Sequence, residues 1–177
     1  ERAAMYSIAM MPQSQDRDLF LRQLGAKDEK LRAASAEALG RVGNPADEAA
    51  LEKAWQGEEK MAPRLAAAFG IVMEGKLDLS EEGAFRYLIN TLNSAANHDI
   101  AYAYLSEAAR RKPVLDALYG PLDQGTRDEK IYLSRVLSAS GDAGSVPHLD
   151  KISRDPDRDV AAEGLRALRS LRARLKI

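Results

Sequence analysis

The chain has 177 residues, 45% hydrophobic and 30% charged, with a formal net charge of -1 and no cysteine. That balance excludes a disordered tail, a disulfide-built scaffold, a thiolate nucleophile and a bulk electrostatic pull toward nucleic acid or an anionic membrane. No apolar run approaches the roughly 20 residues of a spanning helix.

Apolar residues recur at three and four, Ala is abundant, and Val and Ile are sparse, so the chain reads as all-α. Breakers at Pro12, Gly25, Gly43-Asn44-Pro45, Gly57, Gly75, Pro113, Gly125, Gly141-Asp142 and Pro156 separate about eleven helices of roughly 9 to 16 residues. A leading helix covers 1–11. Pairs follow: 16–24 with 28–42, 46–56 with 58–73, 81–93 with 97–111, 113–123 with 128–140, and 145–153 with 157–172. An insertion occupies about 76–83. One repeat domain over 1–177 results, with units 1–15 (partial), 16–43, 44–75, 76–111, 112–141 and 142–177. The start at Glu1 rather than Met reads as a piece of a longer protein, with cytoplasm and periplasm both open.

The second helices share a frame. Leu31 to Gly40 is echoed by Met61 to Gly70, and the pattern returns at Ile100, Ile131 and Val160; it also fits backwards onto Glu1-Arg2-Ala3-Ala4. These anchors are 30, 39, 31 and 29 residues apart. A fixed period near thirty residues marks a stacked-repeat architecture, in which no unit buries its apolar face alone. Three residues before the anchors stand Asp28, Asp128 and Asp157, with Glu58 in the same place, as expected caps for orphan N–H groups. The anchor and the position eight later (Leu39, Phe69, Ala108, Ala139, Leu168) are expected on the packed face. The next position holds Gly40, Gly70, Ala109 and Ser140, small enough for a neighbouring helix to come close; Arg169 ends the series.

At these residues the pattern resembles the HEAT repeat of the armadillo-like class, in its bacterial type. The match is best from Asp28 to Leu51: Asp28, Leu31-Arg32, Ala38-Leu39-Gly40, Val42-Gly43-Asn44-Pro45 and Leu51. The resemblance implies a right-handed α-α superhelix of about five helical pairs plus a leading helix. It also implies second helices that line a concave surface and a role in holding proteins without catalysis.

No chemistry converges in the sequence. His98 and His148 lack metal-ligand spacing, and the pairs Glu58-Glu59, Glu81-Glu82 and Asp155-Asp157 fall at helix starts, where the dipole explains them. Gly40-Arg41-Val42-Gly43 lacks the lysine of a phosphate loop. No catalytic residue, metal or cofactor is expected. Trp55 is expected between repeats in the core.

At 100° per residue, positions three, six and ten after each anchor turn outward. They are Ala34, Glu37, Arg41; Arg64, Ala67, Ile71; Ala103, Ser106, Arg110; Ser134, Leu137, Gly141; and Glu163, Arg166, Ser170. The candidate binding residues are Glu37, Arg41, Arg64, Ile71, Ser106, Arg110, Ser134, Leu137, Glu163 and Arg166, with Tyr104 as an exposed aromatic anchor. Arginines beside apolar groups suit a peptide or protein with carboxylates, held by a single-chain scaffold or adaptor segment. The alternatives are a nucleic-acid or DNA-repair solenoid, suggested by Arg166, Arg169, Arg172, Arg174 and Lys176 but opposed by the neutral charge, and an accessory domain of a larger enzyme.

Overall fold

The computed structural model describes residues 2–177; Glu1, the first residue of the backward echo, lies outside the described residues, and residues 2–4 of that echo begin a helix. It is all-helical, with no strand among the described residues. In chain order the α-helices are α1 (Arg2–Met10), α2 (Arg17–Gln23), α3 (Glu29–Val42), α4 (Glu48–Gly57), α5 (Met61–Met73), α6 (Ala84–Thr91), α7 (His98–Ala108), α8 (Lys112–Ala117), α9 (Tyr119–Gln124), α10 (Arg127–Ser140), α11 (Ser145–Ile152) and α12 (Arg158–Leu175). Short 3-10 turns lead into α2 and α4. The segment expected as one helix at 113–123 is divided at Leu118. Contacts divide the chain into two compact units, Glu1–Leu88 and Ile89–Ile177, with the division inside α6.

In the first unit α3 packs most extensively on α5 and also on α1, while α2 lies against α3 and α4 against α5. Two layers result, α1–α3–α5 and α2–α4. Phe20, Leu39, Leu51, Leu65 and Phe69 have no exposed surface and fill the space between them. Asp47, also wholly buried, pairs with Arg17 at 2.5 Å and so ties the start of α4 to the start of α2. Gly40 faces Gly70: a Cβ on Gly40 would stand 2.6 Å from the Gly70 Cα. Gly in a helix costs about 1 kcal/mol relative to Ala; here it permits backbone-to-backbone approach of α3 and α5.

The second unit repeats the arrangement. Helices α7, α10 and α12 make one layer, and α9 and α11 pack on each other and on that layer. Leu105, Leu133, Val136, Leu149 and Val160 are buried there.

Local chemistry sets the helix ends. Asp28 accepts hydrogen bonds from the Lys30 and Leu31 amides, and Asp157 from those of Asp159 and Val160. Two expected caps are corrected. Helix α10 is capped by Thr126, in a reciprocal box with Glu129, and not by Asp128. Glu58 lies two residues before the α5 cap, Lys60, whose amide it accepts at 2.9 Å. The stretch at 76–83 is non-helical. It is held by the Asp78 carbonyl, which accepts from the Arg86 amide at 3.2 Å, and by Lys76, which bonds Glu52 of α4.

Candidate functional site

The outward stripe expected on the second helices divides. Ile71 is 1% exposed, Leu137 and Ser134 are 0%, and Tyr104 and Glu163 are 8%, so these five are buried, as are Ala34 and Ala67 of the same stripe. The reason differs by helix. Helix α5 is buried without interruption from Leu65 to Met73, so Ile71 has no outward side. In α10 the true cap, Thr126, stands two residues before Asp128. That moves the anchor from Ile131 to the wholly buried Glu129 and rotates the frame by about 200°. Ser134 and Leu137 then fall on the packed side. Ala139, expected in the core, is exposed, and the positions three and six after the anchor become Tyr132 and Arg135. Tyr104 lies four after its anchor, on the same side as Leu105 and Ala108. The anchors Met61 and Ile100 are 45% and 38% exposed because they sit at the edge of the buried arc rather than at its centre.

Of the remaining polar positions, Glu37 and Arg41 are joined to their neighbours. They pair at 3.0 Å, and the Arg41 guanidinium also donates to the Ala9 carbonyl at 3.0 Å and lies 5.5 Å from the centre of the Phe69 ring. The Ser106 carbonyl accepts from the Ser140 hydroxyl at 2.6 Å. Arg110 is exposed, just past the end of α7. Arg64 turns away from a second-helix stripe altogether, onto Trp55 of α4 and Tyr87 of α6. Trp55 is half-buried rather than in the core.

One ladder of side chains crosses the second unit on its second helices. The His98 ring of α7 lies 4.7 Å from that of Tyr132 in α10. Arg135 covers Tyr132 at 4.9 Å and reaches Glu163 of α12 at 3.2 Å; Glu163 also takes Arg166 at 2.7 Å. Hydrogen bonding to Glu163 holds the Arg135 guanidinium even more firmly protonated than usual. Glu163 and Arg166 were expected at this surface; His98, Tyr132 and Arg135 were not. The Thr126-x-x-Glu129 box is the signal that finds the last two, because it sets the frame of α10.

A groove of about 650 Å³ opens in the first unit between α2 and α4. Ala36 and Ala67 form its floor and Leu21, Leu24, Ala50 and Ala54 its walls. The Arg32–Glu58 pair closes one part of it. Both histidines are packed by rings: His148 stacks on Tyr119 at 3.9 Å, and the His98 Nδ1 lies 2.9 Å from the Ser94 carbonyl. Among the described residues no three His, Asp or Glu side chains gather as a metal site. Among them, too, no helix is long and apolar enough to cross a membrane. No protein-family model matches the chain, and no curated protein matches it.

Proposed function

We propose that the chain is a HEAT-like solenoid segment that acts as a non-catalytic scaffold, holding a peptide or protein along its second helices. The observation that supports this reading is the ladder His98–Tyr132–Arg135–Glu163–Arg166. Equivalent positions of two successive second helices, three and six after the anchor, carry Tyr132 and Arg135 on α10 and Glu163 and Arg166 on α12. Aromatic faces and arginines are the side chains that most often anchor a protein partner.

Selection of peptides from a displayed library against the 177-residue chain tests it. Selected peptides should bind about tenfold or more weakly to a Tyr132→Ala, Arg135→Gln variant that melts like the parent, a loss of about 1.4 kcal/mol. Binding untouched by both changes would overturn the assignment of the surface. A second reading is favoured by Arg158, Arg166, Arg169 and Arg172, all exposed on α12: contact with nucleic acid. A gel shift at low salt, where phosphate-driven affinity is greatest, would favour it over a protein partner.

A further inference from the structure

Arg64, near the start of α5, is clasped by two aromatic rings. Its guanidinium carbon lies 5.9 Å from the centre of the Trp55 ring and 5.1 Å from that of Tyr87. The rings themselves are 6.3 Å apart, inclined at 64°. The Tyr87 hydroxyl donates to the Met61 sulfur at 3.2 Å, and Met61 is 45% exposed. The Arg64 Nε is closed off from solvent without a partner, and among the described residues no carboxylate or carbonyl takes a hydrogen bond from this guanidinium. Other half-buried arginines behave differently: Arg17 pairs with Asp47, Arg32 with Glu58, Arg41 with Glu37 and Arg135 with Glu163. Glu58, the acid nearest in sequence to the start of α5 on the buried side, is consumed by Arg32 and the Lys60 amide.

A guanidinium stacked on aromatic faces keeps its charge and loses little freedom when it forms hydrogen bonds. Apolar walls strengthen whatever ion pair it makes. We propose that Trp55, Arg64, Tyr87 and Met61 form a receptor for one carboxylate of a protein partner, an Asp or Glu side chain with an apolar neighbour in its own sequence. The planar fork of Arg64 suits two parallel bonds to a carboxylate. One unopposed positive charge, flanked in sequence by Glu59 and Lys60 whose charges cancel, matches a single negative charge better than a phosphate dianion. Exposed Met61 offers a polarizable, adaptable surface to the apolar neighbour. This assignment rests on the reading that the chain binds a protein, and gives that partner a chemistry.

Trp55 is the chain's single tryptophan, so its emission reports on the clasp alone. The probes are a blocked heptapeptide with Leu-Glu-Leu at its centre, the same peptide with Gln for Glu, and inorganic phosphate. The acidic peptide should give a saturable change in emission, at least tenfold stronger in affinity than the Gln peptide or phosphate. Arg64→Gln should abolish the change, and Arg64→Lys, which keeps charge but loses the fork, should weaken it about tenfold. Equal response to both peptides, an unchanged response in Arg64→Gln, or preference for phosphate would overturn the assignment. Should Arg64→Gln fail to fold, the comparison of the two peptides on the unaltered chain decides alone. If the clasp is silent while displayed peptides still depend on Tyr132 and Arg135, only this inference falls; if neither responds, the binding role falls with it.

Discussion

Glu58 does two things at once, and both favour its charged form. It accepts the Lys60 amide at the start of α5, and it takes two hydrogen bonds from the Arg32 side chain of α3, at 2.6 and 3.1 Å. The bond to Arg32, first, and then the backbone amides hold its carboxyl below the ordinary value of 4.5, against the opposing effect of burial. A depressed carboxyl contributes stability that is full above that ordinary value and is lost as pH falls through the folded one. Asp155, held down by Lys130, acts with the same sign. Urea midpoints measured from pH 7 to pH 3 should therefore fall with acid. Glu58→Gln should be less stable than the parent at pH 7, and the gap should narrow by pH 3. A gap that stays constant across that range would assign the glutamate no linked role. Only half of this was legible in the sequence. A carboxylate beside a helix start is a local signal, whereas its partner in α3 lies 26 positions away and no local rule reaches that far.

Among the helices, register decides what the surface carries. The predicted ranges coincide with most observed elements, because apolar spacing and breakers act within a few residues. Asp28 and Asp157 cap as expected, but position three after each anchor, Ala34 on α3 and Glu163 on α12, is buried rather than outward. In α10 Asp128 offers a competing cap two residues after Thr126, and a two-residue difference in the cap turns every later side chain by about 200°. That turn places Ser134 and Leu137 in the core and brings Tyr132 and Arg135 to the surface. The small residue nine after the anchor was legible for the opposite reason: a repeated glycine in a helix has a cost that packing must offset. Gly40→Ala puts the two effects against each other. Helix propensity would gain about 1 kcal/mol. The added methyl would meet the Gly70 Cα at 2.6 Å, backbone that cannot swing aside, and overpacking costs about 1–3 kcal/mol. Net destabilisation in a chemical denaturation curve is the expected result; a more stable variant would show that α3 and α5 can part at little cost.

At the scale of the chain, each compact unit has its own core, so a change inside one core is expected to weaken that unit first. Leu39→Ala, at a wholly buried site, should cost about 2–5 kcal/mol. Hydrogen exchange should then quicken mainly in the amides of 2–88, with those of 89–177 less affected. Equal acceleration throughout would mean that the chain unfolds as one body. The all-helical class was legible because periodicity is a property of every segment. The clasp at Arg64 was not, since Trp55, Arg64 and Tyr87 come from three helices and meet only after folding.

The meeting of Gly40 with Gly70 reaches beyond stability. At this crossing main chain meets main chain, so the separation of α3 and α5 is fixed by backbone contact rather than by the size of a side chain, and the next neighbour a Cβ on Gly40 would meet is Met73 at 3.4 Å. Arg41, the next residue along α3, grips the Ala9 carbonyl and lies over Phe69, the residue before Gly70. Any change in the spacing of α3 and α5 would therefore also disturb the Arg41 contacts, so the seat of α1 depends on two glycines that belong to other helices.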